Sequence, residues 1–304
     1  GCFSLRGDIS SQYLSGLLLA LPLLQGDSVI ELTTQLESAP YVDMTIKTMR
    51  RFGVQIKLVA ANQPDSEATA AETGKFIVPG GQSYKPAPYT VERDYSQAAF
   101  WLTADLFRNC LQVEGLAAGS CQGDRLIIDI LAEFEAGQAE GKNSYIVDAA
   151  QIPDLVPIIA VAATQVDAVT RIDRAARLRF KESDRLASTS AALNAVGADV
   201  NETADGLEIR GGRYNRNYQP ADYADKQQGI RQYDTGSLNL PVMLKGGTAD
   251  SAGDHRIAMA LAVAALRTEK GITIRGAESV RKSYPDFFNE FRRLGGNADG
   301  LNLG

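Results

Sequence analysis

Residues 152–197 read IPDLVPIIAVAATQVDAVTRIDRAARLRFKESDRLASTSAALNAVG. A short polar motif, Ile152-Pro153-Asp154, leads into Leu155–Ala163, which is apolar on every side. Such a segment predicts a helix buried all round. The β-like run Ala168–Ile172 follows, then a charged stretch, then Leu186 and Leu193 at helical spacing before Val196-Gly197. A hydrophobic residue followed by glycine is a helix stop.

This order of a buried helix, a strand and an amphipathic helix recurs along the chain. Ser10-Ser11-Gln12 precedes Leu14–Leu24, Asp94-Tyr95-Ser96-Gln97 precedes Ala98–Phe107, and Asp254-His255-Arg256 precedes Ile257–Leu266. Second helices are predicted where Val42, Ile46 and Met49 precede Phe52-Gly53, where Ile127, Ile130 and Phe134 precede Gly137, and where Phe287, Phe291 and Leu294 precede Gly295. Their β-like leaders are Val29–Leu32, Leu111–Val113 and Ile272–Ile274. The pattern predicts an α/β chain of four βαβαββ-like repeats.

The Gly/Pro-rich, polar run of residues 80–94 reads as an interdomain connection. We therefore expect one repeat in a partial first domain (1–91) and three in a second (92–304). One repeat is a poor match for three, so six are expected in a symmetric protein. At about 76 residues per repeat, roughly 150 would lie outside this sequence. The opening Gly1 and the late first methionine, Met44, carry the same expectation. Residues 60–75 and 213–252 read as long hairpins or exposed insertions.

The 304 residues are 44% apolar and 22% charged, with a formal net charge of −6. That is an ordinary globular composition. It lacks the basic stripe of a nucleic-acid binder. Three scattered cysteines (Cys2, Cys110, Cys121) make neither a disulfide framework nor a zinc site, and suit a reducing compartment. The apolar run Leu14–Leu24 is too short to span a bilayer. There is no P-loop lysine motif, no Rossmann glycine fingerprint and no Gly-x-Ser-x-Gly.

The chemistry-bearing residues sit at predicted helix starts. Lys181, Glu182 and Arg185 lie where backbone N–H groups and the dipole already favour anions. Cations there point to a bound phosphate or carboxylate, against the alternative of a solvated basic patch. Lys282 holds the equivalent place in the last repeat. Ser10 and Ser11 read as helix caps or as phosphate donors. Asp154 reads as an N-cap or as a proton acceptor. Arg256 is suited to grip a carboxylate with two N–H groups. His255, the sole histidine, reads as a positioning group rather than a base.

Six segments together resemble the EPSP synthase (3-phosphoshikimate 1-carboxyvinyltransferase) family. They are Gly7-Asp8-Ile9-Ser10-Ser11-Gln12, Ser38-Ala39-Pro40-Tyr41, Ile152-Pro153-Asp154, Lys181-Glu182-Ser183-Asp184-Arg185, Gly253-Asp254-His255-Arg256-Ile257-Ala258-Met259 and Lys282-Ser283-Tyr284-Pro285-Asp286. They follow the family order along the whole chain. The resemblance implies an inside-out α/β barrel architecture of two domains, each built of three repeats, that close on their substrates. It implies transfer of the enolpyruvyl group of phosphoenolpyruvate to the 5-hydroxyl of shikimate 3-phosphate. Ser10, Ser11, Gln12, Ser38, Asp154 and Lys181 would contact shikimate 3-phosphate. Gln12, Arg185, Arg256 and Lys282 would hold phosphoenolpyruvate, and Asp154 and Glu182 would be the acid–base pair.

No metal or organic cofactor is implied. The expected setting is a cytoplasmic monomer that binds small molecules, with no nucleic-acid or membrane partner. The family's amino-terminal Lys-Ser…Arg motif and its Asn-Ala-Gly-Thr segment do not occur here. The 304 residues alone are thus expected to show little or no turnover. Arg177 stands where some members carry Asn, so that contact is not transferred. The rival readings are a UDP-N-acetylglucosamine enolpyruvyl transferase and a non-catalytic ligand-binding domain.

Overall fold

The computed structural model describes residues 1–60, 69–108, 111–212, 215 and 244–300. Residues 61–68 of the expected insertion at 60–75, most of the expected insertion at 213–252, and Cys110 lie outside these residues. Two compact bodies are formed. One comprises Gly1–Arg93, Leu116–Arg125 and Ala150–Ile152; the other Asp94–Gly115, Leu126–Ala149 and Pro153–Gly304.

The first body holds strands β1 (Cys2–Leu5), β2 (Ser28–Leu32), β3 (Lys57–Ala60) and β4 (Thr73–Val78), and helices α1 (Ser11–Ala20) and α2 (Ala39–Arg51). Its sheet order is β1-β2-β4-β3. β1 and β2 are parallel, and β4 is antiparallel to both β2 and β3. Leu14, Leu18, Ile30, Val42, Ile46, Met49 and Phe76 form its core.

α1 corrects the expectation of a helix buried all round. Only Ser11, Leu14 and Leu18 of its residues are buried, while Tyr13 and Leu19 are exposed. The helix also stops at Ala20 and tightens into a 3-10 turn at Leu21–Leu23. Pro22 has no N–H with which to extend an α-helical ladder.

The second body holds α3 (Tyr95–Arg108), α4 (Leu126–Ala139), β5 (Ser144–Asp148), α5 (Val156–Gln165), β6 (Val169–Asp173), α6 (Arg185–Ala195), β7 (Val200–Glu202), β8 (Leu207–Arg210), β9 (Gly247–Asp250), α7 (His255–Ala265), β10 (Ile272–Arg275) and α8 (Phe287–Arg293). The order β5-β6-β8-β7 repeats the pairing of the first body strand for strand. β9 and β10 make a two-stranded parallel pair.

All ten residues of α5 are buried, because α3, α6 and α7 pack around it and β8 closes another side. Residues of β5 alternate between exposed and buried, as in a sheet with one solvated face. The helices α3, α5 and α7 therefore form an inner layer, with the sheet outside it.

Two further expectations are corrected. Leu111–Val113 is not a strand. Gly137 does not stop its helix but lies within α4. A Cβ there would come within 3.0 Å of the Tyr145 ring, so glycine permits close helix–strand approach. The chain turns away at Gly141, whose φ is +75°.

Candidate active site

Six segments that carry the candidate site residues each follow the carboxyl end of a strand in a parallel pair. Ser10–Gln12 follows β1 and Ser38 follows β2. Asp154 follows β5 and Lys181–Arg185 follows β6. Asp254–Arg256 follows β9 and Lys282 follows β10. Carboxyl ends of parallel strands, leading into helix starts, are where α/β folds gather ligands.

In the second body these residues converge on Arg185. It is the first residue of α6, capped by Asp184, whose carboxylate accepts from the Ala187 N–H. Its side chain is buried and meets three carboxylates. Nε donates to Asp254 Oδ2 at 2.8 Å, Nη1 to Asp154 Oδ1 at 2.8 Å, and Nη2 to Glu182 Oε2 at 2.5 Å. The solvated-patch alternative fails for this arginine. A guanidinium has five N–H donors, so two stay available.

Asp154 lies in a 3-10 turn, Pro153–Leu155, ahead of α5. Its second oxygen accepts from Arg256 Nη2 at 3.0 Å. Burial by itself would raise its pKa, but Arg256, Arg185 and Lys181 more than offset this and hold it at about 2, below the ordinary 3.8. Asp154 is therefore ionised at neutral pH.

The sign of the resulting pH dependence is fixed. A depressed carboxylate pKa gives stability that is present above the unfolded value and lost as pH falls through the folded one. The gap corresponds to about 2 kcal/mol. Asp154→Asn should remove that much of the stability change between pH 4 and pH 2, read by urea unfolding at each pH. An equally steep acid limb in the variant would contradict the ion-pair geometry.

Asp254 joins two of the cations. It is wholly buried, takes the Arg185 Nε–H with one oxygen, and with the other caps α7 at the Arg256 N–H, 2.9 Å away. Its pairing with Arg185 was not read from the sequence. The available signal was an acidic N-cap directly before two basic residues. His255 is also buried. Burial first, and Arg256 second, push its pKa below the usual histidine value, and its Nδ1 meets no hydrogen-bond partner among the described residues.

Lys282 Nζ donates to the Gly253 carbonyl at 3.0 Å, beside the α7 cap. Lys181 is exposed but close enough to lower the Asp154 pKa. Neither lysine makes an ion pair among the described residues. Three carboxylates thus stand against four cations, and Arg185 alone engages all three. The cations outnumber the carboxylates by one; Arg256 must share Asp154 with Arg185, and Lys181 and Lys282 stand outside these ion pairs, an arrangement suited to anionic ligands.

Ser10, Ser11, Gln12 and Ser38 belong to the first body. Ser10 caps α1, its Oγ accepting from the Gln12 N–H at 3.3 Å. The Gly7 carbonyl accepts from the Glu37 N–H at 3.0 Å, and Thr34 Oγ1 accepts from the Gly7 and Asp8 N–H groups. The strand-end segment leading to Ser10 is thereby tied to the turn that carries Ser38. A Cβ on Gly7 would lie 2.8 Å from the Thr34 carbonyl oxygen, so this approach needs glycine.

Ser38 is left-handed, with φ +54° and ψ +36°, and its side chain makes no cap bond to α2. That conformation costs a non-glycine residue about 1–2 kcal/mol and persists only where its surroundings enforce it. No helix among the described residues is long and apolar enough to cross a membrane.

Residues 1–291 match the family model for EPSP synthase (3-phosphoshikimate 1-carboxyvinyltransferase). A 3-phosphoshikimate 1-carboxyvinyltransferase of Clostridium acetobutylicum is 42% identical over 312 residues, covering 100% of this chain and 63% of the relative. One from Clostridium kluyveri is 39% identical, covering 100% and 64%. The solved EPSP synthase of Acinetobacter baumannii superposes with a TM-score of 0.68 at 23% identity, over 98% of this chain and 63% of that one. The latter likeness shows the fold. The chain spans about 63% of the length of the curated relatives it matches.

Proposed function

This chain belongs to the EPSP synthase family, and we propose that it supplies the strand-end residues for enolpyruvyl transfer from phosphoenolpyruvate to the 5-hydroxyl of shikimate 3-phosphate. The observation that carries this reading is the surplus of cations at these strand ends: Arg185 is held by three carboxylates, Arg256 shares one of them, and Lys181 and Lys282 form no ion pair among the described residues. Arg256, Lys282 and the remaining donors of Arg185 take the carboxylate and phosphate of phosphoenolpyruvate, with Gln12. Ser10, Ser11, Gln12, Ser38, Asp154 and Lys181 take shikimate 3-phosphate.

The reaction is an addition followed by an elimination. The 5-oxygen bonds to C2 of phosphoenolpyruvate as it loses its proton, and C3 gains a proton. C3 then gives up a proton, the C2–C3 double bond re-forms, and phosphate leaves C2. Asp154 and Glu182 serve as the acid–base pair. Asp154 is a weak base while two arginines hold it. When Arg256 turns to a ligand carboxylate, Asp154 loses one of its two arginine partners and its proton affinity rises. Fixed cations stabilise the charge that develops on the departing phosphate.

Calorimetric titration tests the assignment. Shikimate 3-phosphate and phosphoenolpyruvate should bind, and UDP-N-acetylglucosamine should not. The 304 residues alone should release little phosphate, since they span about 63% of their relatives. Binding of UDP-N-acetylglucosamine in preference to shikimate 3-phosphate would reverse the substrate assignment. Normal turnover by the chain alone would refute the expected low activity.

A further inference from the structure

The turn that carries Ser38 is held by residues 112–115 positions away in sequence. The Ala39 N–H, which has no acceptor within the helix because it opens α2, donates to Gln151 Oε1 at 2.8 Å. Gln151 Nε2 donates to the Leu36 carbonyl at 3.3 Å. The Ser38 N–H donates to the Ala150 carbonyl at 3.1 Å. The turn is thus gripped on both sides of its left-handed residue. Because Gln151 meets an N–H with its oxygen and a C=O with its nitrogen, only one orientation of the amide satisfies both.

A second element backs this grip. A Cβ on Gly123 would fall 2.8 Å from the Gln151 carbonyl oxygen and 3.0 Å from Pro40. Next to it, the buried Asp124 accepts from the Tyr41 hydroxyl at 3.2 Å. Residues 36–41, 123–124 and 150–151 therefore form one interlocked cluster within the first body. Its middle is a serine in a conformation that serine does not adopt unaided.

We infer that Gln151 is a positioning residue that enforces the left-handed backbone of Ser38 and so aims its hydroxyl and the α2 N-terminus at the phosphorylated ligand. The inference rests on the reading of Ser38 as a shikimate 3-phosphate contact. Gln151 itself touches no ligand. It acts through Ala39 and Leu36, replacing the helix cap that the left-handed serine does not provide. A side chain at 151 must accept a hydrogen bond from Ala39, and donating to Leu36 is secondary.

The test uses the whole 304-residue chain with shikimate 3-phosphate as the probe. Gln151→Met has similar length and no acceptor. It should lower shikimate 3-phosphate affinity at least tenfold while leaving phosphoenolpyruvate affinity within twofold. Gln151→Glu keeps an acceptor and should recover most of the lost affinity. Without ligand, the amides of Ser38 and Ala39 should exchange hydrogen faster in Gln151→Met than in the wild-type chain. Full shikimate 3-phosphate affinity and unchanged exchange in Gln151→Met would overturn this inference alone. Absence of binding by the wild-type chain would overturn the functional reading, and the ligand-directed part of this inference with it.

Discussion

Arg185→Ala should cost about 3–5 kcal/mol of folding stability, because it leaves buried carboxylates without their counter-charge. Arg185 is 0% exposed, Asp254 is 0% exposed, and each is the other's partner at 2.8 Å. Asp154 loses one of two arginines at the same time. Urea unfolding followed by circular dichroism should show a lower midpoint. Arg185→Lys should recover less than half of the loss. A single ammonium group cannot present a planar fork to three carboxylates at once. If the lysine variant matches the wild type, the three-way geometry is not what stabilises the cluster. A double-mutant cycle with Asp254→Ala should show coupling, since residues in one buried network do not act additively.

Phe287→Ala should be comparably severe, at about 3–5 kcal/mol. Phe287 is fully buried and lies against Phe100, Trp101, Tyr284, Phe288 and Phe291, with ring centroids 5.0–6.3 Å away. Aromatic pairs contribute beyond the area they bury. This cluster also sets the segment that carries Lys282. Trp101 Nε1 donates to the Tyr284 hydroxyl at 3.3 Å, and Gln97 Nε2 donates to the Ser283 carbonyl at 2.8 Å. The variant should therefore lose phosphoenolpyruvate affinity as well as stability. Phe287→Leu fills more of the volume and should recover part of both. Urea unfolding and calorimetry on the same preparations separate the two effects. A stability loss below 1 kcal/mol would mean that the cluster collapses freely around the gap.

The two variants also show how far a sequence reading reaches. Phe287 was legible as core because Phe287, Phe291 and Leu294 recur at helical spacing before a glycine. Arg185 was legible as functional because its charge sits at a helix start. Its three partners were harder to assign. Glu182 is three residues away, Asp154 is 31 and Asp254 is 69. Only the first distance falls within reach of a local rule. The sequence reading put Arg185 at a ligand site; the fold shows in addition that three of its five N–H donors go to protein carboxylates.

Failed expectations have the same origin. Leu14–Leu24 and Leu155–Ala163 are both apolar runs, yet α5 is buried on every side and α1 on one. Composition states what a helix tolerates, while burial depends on which neighbours arrive. Gly137 carries the residue type of a helix stop, but the ring of Tyr145 on β5 determines its use.

From the chain alone came the repeat, the helix starts and the candidate motifs at them. These are written in hydrophobic period and in capping chemistry, which act over one or two turns of backbone. The pairing of Arg185 with Asp254, the grip of Gln151 on the Ser38 turn and the exposed side of α1 were decided by tertiary packing. A side-chain partner is chosen by the convergence of distant strand ends, and no spacing along the chain encodes that distance.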